Sequence, residues 1–254
     1  MTPLVRLRNV GKRFTNGTEA LRAMSLDIRE GGFVSLLGPS GCGKSTALRL
    51  IAGLAEPSDG TVEWPGGRDG AGLGFVFQEP TLMPWRNVWG NVFLPLRLAG
   101  VSKAAAEPRI AAALASVGLG GFAKSYPRQL SGGMKMRVSI ARALVMRPRL
   151  LLMDEPFAAL DEITRARLND DLLRLHAAEK LTIVFVTHSV YESVFLSSRI
   201  VVMAARPGRV VADIAIDAPA LRDEAFRTSE DYNRQCRIVS AALRTAMGEQ
   251  DHAG

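Results

Sequence analysis

Cysteine is nearly absent: only Cys42 and Cys236 occur in 254 residues. Neither sits in a ligand-spaced cluster, so no zinc site and no disulfide framework is expected. Long apolar runs are missing too, since none approaches the roughly 18 residues that span a bilayer. The opening residues, Met1-Thr2-Pro3-Leu4-Val5-Arg6, lack the basic segment and apolar stretch of a secretory signal. The chain is therefore expected to be soluble and not secreted. Blocks of like charge are also lacking. The net charge is +7, but it is scattered, and no basic stretch is interleaved with aromatics, which argues against a nucleic-acid partner. There is no internal repeat, and one glycine-rich loop around 65–72 carries little information. What remains is 47% hydrophobic, enough for one large domain or a core with an inserted subdomain.

The stretch that organises the chain is Gly38-Pro39-Ser40-Gly41-Cys42-Gly43-Lys44-Ser45, followed by Thr46. It fits G-x-x-x-x-G-K-[ST], the phosphate-binding loop. Phe33-Val34-Ser35-Leu36-Leu37 reads as a buried strand before it. Ala47, Leu48, Leu50, Ile51 and Leu54 recur at helical spacing after it, and Gly53 suits the helix end. Glycines let the backbone aim N–H groups at a phosphate, and a helix N-terminus adds positive potential. Lys44 is placed for the β- and γ-phosphates and Ser45 for Mg²⁺. Cys42 reads as a small filler in this loop.

The rest of the chain adds strands that end in polar residues. Leu4-Val5-Arg6-Leu7-Arg8 and Met24-Ser25-Leu26-Asp27-Ile28 alternate as half-buried strands, with the aromatic Phe14 between them. Phe14 is either core or a ring that stacks on a base. Thr61-Val62-Glu63-Trp64 is a short strand. Leu73-Gly74-Phe75-Val76-Phe77 ends at Gln78, which is either a strand terminator or a contact for Mg²⁺ or water. Residues 81–88 place Met83, Trp85 and Val88 in a proline-containing loop, as a contact surface or a satellite core. Residues 89–116 turn helical with a break at Gly100, and a second break follows at 118–121.

Ser131-Gly132-Gly133 opens an amphipathic helix through Val138, Ile140, Ala141 and Leu144. Ser131 is an N-cap or part of a second anion site. Leu150-Leu151-Leu152-Met153 reads as a strand buried on both faces, delivering Asp154-Glu155. These carboxylates suit a metal and a water nucleophile. Asp161 fits the N-cap of a helix over about 162–178. The strand 181–186 ends at Thr187-His188, and His188 is either a γ-phosphate donor or a solvent-facing terminator. His176 and His252 have no such context. Strands 199–203 and 209–213 form a hairpin-like pair around Arg206-Pro207-Gly208. Residues from 217 on are helix-prone and carry no recognisable chemistry.

This ordered set resembles the ATP-binding subunit of ATP-binding cassette (ABC) transporters, over residues 4–213. Residues 38–45 look like Walker A, 150–155 like Walker B, and Leu130-Ser131-Gly132-Gly133-Met134 like the signature motif. Gln78 matches the Q-loop, Ala159-Leu160-Asp161 the D-loop, His188 the switch histidine and Phe14 the adenine-stacking aromatic. Met134 stands where the family often has Gln, which leaves the Ser and glycines that contact phosphate in place.

The resemblance implies an α/β fold: a P-loop NTPase (RecA-like) core, with an inserted α-helical subdomain and an antiparallel β part. The ATPase domain would span 1–215, as core 1–86 and 150–215 with a helical subdomain at 87–149. Residues 216–254 would be a C-terminal helical extension. It further implies ATP and Mg²⁺ as cofactors. Glu155 would polarise the attacking water, His188 would contact the γ-phosphate, and Asp154 and Gln78 would serve Mg²⁺ with Ser45. Two chains, two copies or one beside a relative, would pack head to tail. Each would cover the other's ATP with Ser131-Gly132-Gly133, and Asp161 would lie at their contact. A membrane permease subunit would dock at the loop of Met83, Trp85 and Val88, at the cytoplasmic face of the membrane, with an extracytoplasmic solute-binding protein as an indirect partner. Pro84-Trp85-Arg86-Asn87-Val88, residues 156–161 and residues 187–193 resemble importers of nitrate, taurine and aliphatic sulfonates. The alternatives are another importer, such as one for a thiamine-pyrimidine precursor, an exporter's ATPase, or a soluble ABC ATPase. An unrelated P-loop kinase has no use for a second phosphate-binding helix end.

Overall fold

The computed structural model describes residues 2–67, 72–219 and 222–248. The chain opens with β1 (Val5–Arg13) and β2 (Glu19–Ile28), an antiparallel pair. Both strands run longer than their sequence alternation indicates. In β1, Arg8 and Asn9 are both exposed, Asn9 has φ 48°, and the register shifts between Leu7 and Val10. In β2, Arg22 and Ala23 are both exposed and Ala23 has φ 48°. Each irregularity inserts a residue and returns the next apolar side chain to the core, which hides the strand from a period-two reading. After β3 (Phe33–Leu37) and α1 (Lys44–Ala52), β4 (Asp59–Glu63) joins the free edge of β1, giving a three-stranded sheet ordered β2-β1-β4. Gly53 closes α1 in the left-handed conformation at φ 63°.

The main sheet is built from β3, β5 (Leu73–Val76), β6 (Leu150–Asp154), β7 (Thr182–Thr187), β8 (Arg199–Ala204) and β9 (Arg209–Ala215). Its order is β5-β6-β7-β3-β8-β9. All pairs are parallel except β8 with β9, which form the antiparallel pair flanking Arg206-Pro207-Gly208. Alternate residues of the central strands feed two separate cores. Leu151, Met153, Ile183 and Phe185 join the helical side. Leu150, Leu152, Val184 and Val186 join α1 and the three-stranded sheet. This is why these strands read as continuous apolar runs, as expected for parallel strands covered on both faces. Parallel pairing also brings the carboxyl ends of β3, β5, β6 and β7 to one edge, beside the crossover that puts β3 between β7 and β8. Ligand crevices form at such switch points.

Between β5 and β6 lie α2 (Val88–Leu98), α3 (Lys103–Ser116) and α4 (Gly132–Leu144). Buried Asn91 donates to the carbonyls of Met83, Arg86 and Asn87 and accepts from the Met83 amide, so it pins the turn before α2. Residues 81–88 therefore divide. Trp85 is 72% exposed, whereas Val88 is fully buried as the first residue of α2. Val88 belongs to the core and is not part of a contact surface, a correction to the reading of that loop.

The chain continues with α5 (Glu162–Glu179) and α6 (Val190–Leu196) around β7, then α7 (Glu224–Arg227) and α8 (Glu230–Gly248). The segment after 215 packs into the same core. The Ile216 amide bonds the Ser198 carbonyl, and the Arg222 guanidinium donates to the carbonyls of Val194, Phe195 and Ser197 at the end of α6. Tyr232, Cys236 and Val239 are buried on the helical side. His176 is structural: its ring meets Phe33 edge-on and bonds the Leu181 carbonyl. His252 and part of the 65–72 loop lie outside the described residues.

Candidate active site

Five helices, α2 to α6, begin with a side chain that accepts from their first turn: Asn87, Ser102, Ser131, Asp161 and Ser189. Helix α1 begins at Gly43 with no side-chain cap and no acidic residue in its first turn. Its amides and its positive end thus face a cavity of about 580 Å³ at the sheet edge. The loop before it is held tightly. A Cβ on Gly38 would lie 2.6 Å from the Met203 carbonyl, and one on Gly43, which has φ 86°, would lie 2.6 Å from the Ala20 carbonyl. Ser40, Gly41, Gly43, Lys44, Ser45 and Thr46 line the cavity. Pro39 and Cys42 support it from behind: Cys42 is fully buried, and its amide bonds the Pro39 carbonyl. Burial pushes the Cys42 thiol up, away from the reactive thiolate.

Two polar chains meet in this cavity. The Ser45 hydroxyl donates to Asp154 Oδ1 at 2.8 Å. Burial raises the Asp154 carboxyl above the ordinary carboxylate range, the Ser45 bond opposes that rise, and the Glu155 charge adds to it. Lys44 is 4% exposed. Its Nζ donates to the carbonyls of Gly38 (2.7 Å) and Pro39 (3.0 Å) and lies 3.6 Å from Glu155 Oε1. Glu155 Oε2 in turn lies 3.2 Å from His188 Nδ1. Glu155 takes φ 44°, a left-handed conformation that a side chain of this size rarely adopts, and its amide is bonded to the Val186 carbonyl. Strain of this kind gathers at functional sites. It turns Glu155 off the line of β6, so adjacent carboxylates serve different neighbours.

Gln78 and the half-exposed ring of Phe14 line the same cavity. Ser131, Gly132, Gly133 and Asp161 do not. Ser131 and Asp161 cap α4 and α5 as their sequence context indicates, and Ser131 and Gly132 are exposed. Thr18 and Arg206 line the cavity without any signal in the sequence. Arg206 arrives through a long-range fit, in which the Gly208 amide bonds the Ala20 carbonyl and a Cβ on Gly208 would lie 2.3 Å from the Cys42 carbonyl. Among the described residues no cluster of three or more His, Cys, Asp or Glu could hold a metal. The donors present are a hydroxyl, a carboxylate and a side-chain amide. This oxygen set suits Mg²⁺ completed by phosphate and water.

A family model described as "ABC transporter" matches residues 21–158. The taurine import ATP-binding protein TauB of Rhizobium johnstonii is 46% identical over 208 residues, covering 81% of this chain and 79% of its own. The nitrate import ATP-binding protein NrtD of Synechocystis sp. is 44% identical over 253 residues, covering 96% and 94%. Among solved structures, the post-hydrolysis dimer of the ATP-binding cassette MJ0796, bound to ADP and Pi, superposes with a TM-score of 0.74. It is 35% identical, over 85% of this chain and all of the other. No helix among the described residues is long and apolar enough to cross a membrane. An uncapped helix end over a buried lysine, a paired Ser–Asp and a Glu–His couple on one sheet edge, with these relatives, lead to one assignment: the chain belongs to the ABC transporter family, as an ATP-binding subunit with ATPase activity.

Proposed function

We propose that this chain powers import of a small anion, such as nitrate, taurine or another aliphatic sulfonate, by hydrolysing ATP beside a membrane permease. The observation that carries the hydrolysis is the chain of contacts Lys44–Glu155–His188 beside Ser45–Asp154, at the uncapped start of α1; the anion rests on likeness to the taurine and nitrate import proteins. Phosphoryl transfer needs positioning and charge stabilisation more than covalent chemistry. The α1 amides and Lys44 bind the phosphates, with Gly38 to Thr46 as the cradle and Phe14 stacking on adenine. Ser45, Asp154 and Gln78 would hold Mg²⁺, which supplies charge neutralisation on the phosphate oxygens. Glu155 takes a proton from the attacking water, and His188 orients Glu155 and the γ-phosphate.

The same reading assigns residues 1–215 to the ATPase domain, with 87–149 as its helical part and 216–254 as a C-terminal helical segment. The α4 start carries exposed Ser131 and Gly132 away from this chain's own cavity. A second ATPase chain, most simply a second copy, completes each site, with Asp161 at the contact. Exposed Trp85 is the side chain assigned to the permease surface; on this reading the protein works at the cytoplasmic face of the membrane, with a solute-binding protein as an indirect partner. Affinity capture of the full chain from its own membranes in mild detergent, with the co-purifying proteins identified, tests this. A multi-span membrane subunit is expected. Recovery of soluble or nucleic-acid-bound partners alone would overturn transport as the purpose.

A further inference from the structure

Glu192 is 8% exposed, yet no step above uses it. It sits one turn into α6, four residues after His188. Its Oε2 accepts from the Thr187 hydroxyl at 2.5 Å. The same Thr187 Oγ1 accepts from the Ser189 amide at 3.0 Å, and Ser189 Oγ accepts from the Glu192 amide at 3.3 Å. These bonds close a ring around the β7–α6 corner, and His188 is the residue that the ring presents. The other oxygen, Oε1, is buried with no hydrogen-bond partner. Arg165 of α5, whose charge reaches Glu192, likewise has a buried Nε without a hydrogen-bond partner. The opposite end of that guanidinium donates from Nη2 to the Leu160 carbonyl at 2.8 Å, in the turn before Asp161.

A buried carboxylate with one idle oxygen is not what packing alone selects, since an apolar side chain would fill the space without desolvating a charge. We propose that Glu192 is a positioning residue for hydrolysis: through Thr187 and Ser189 it holds the corner that presents His188. The electrostatics agree with this placement. Burial raises the Glu192 carboxyl, the Thr187 bond opposes that rise, and the charges that reach it are Arg165, His188 and Glu155. The proposal rests on the ATPase reading for its kinetic consequence, but its structural half concerns His188 alone.

The test uses the full chain with Glu192→Ala and Glu192→Gln. Glutamine keeps an acceptor for Thr187 and removes the charge. For the alanine variant, kcat should fall about 10- to 100-fold while KM for ATP stays within about twofold, and glutamine should recover part of the loss. The chain has three histidines, so ring-nitrogen NMR on ¹⁵N-histidine protein resolves each. The His188 signals should move in the alanine variant, and those of His176, half-buried beside Phe33, should not. Unmoved His188 signals would overturn the proposal. So would His176 and His188 moving together with matching losses in kcat and melting temperature in both variants, because Glu192 would then merely support the fold. If the unsubstituted chain hydrolyses no ATP, the ATPase reading fails, and the ring signals still decide whether Glu192 holds His188.

Discussion

At the scale of single residues, the site carries its function as electrostatic cost. Asp154 is the clearest case, because burial holds its carboxyl above the ordinary range and Glu155 pushes it further. The folded state therefore binds this proton more tightly than the unfolded chain does. Ionised Asp154 opposes folding at neutral pH, and the penalty fades as pH falls through its raised value. Asp154→Asn keeps an acceptor for Ser45 and removes the charge. Its melting temperature without nucleotide should rise by roughly 1–2 °C at neutral pH, the gain shrinking as the pH falls, while hydrolysis is lost. A scan series across pH checks this, and a gain that is absent or independent of pH would contradict it. Residues of this kind were legible in the sequence because the phosphate loop and the Asp-Glu pair are contiguous strings. Thr18 and Arg206 were not, since they reach the cavity through a fit between segments distant in the chain. Val88 was misplaced for a related reason: its partners in the core come from other helices, and the local string shows only a proline-containing loop.

At the scale of elements, the start of α4 is set against α5 with no room to spare. A Cβ on Gly133 would lie 2.6 Å from Thr164 Cγ2, and one on Gly132 would lie 3.2 Å from the Leu160 side chain. Gly133→Ala forces the helices apart at a cost of about 1–3 kcal/mol, partly offset by the better helix propensity of alanine, up to ~1 kcal/mol. At roughly 2–4 °C per kcal/mol for a chain of this size, calorimetry should show a lowered melting temperature. Adding Thr164→Ser removes the clashing methyl and should restore most of it; no recovery would mean that the strain lies elsewhere. The helix itself was readable from Ser131 and the apolar spacing after it, because caps and periodicity are local. The full lengths of β1 and β2 were not, because the irregularities at Asn9 and Ala23 depend on the partner strand's register.

At the scale of the whole molecule, one half of the proposed site belongs to the sheet edge and the other to the α4 start, where Ser131 and Gly132 are exposed. On the proposed reading such a chain hydrolyses ATP as a pair; a relative whose full length it covers was solved as a dimer. The parallel sheet was legible from its apolar strands, whereas the pairing rests on surfaces that no single-chain pattern records. The most direct measurement is sedimentation of the Glu155→Gln chain with and without Mg²⁺ and ATP. That variant should slow hydrolysis by about 10²–10⁴-fold and retain nucleotide. The account predicts a 27.4 kDa monomer that doubles in mass only with ATP, and a Ser131→Arg addition that abolishes the doubling. A variant that binds ATP yet remains monomeric at all concentrations, or one that turns over ATP at the unsubstituted rate, would contradict it.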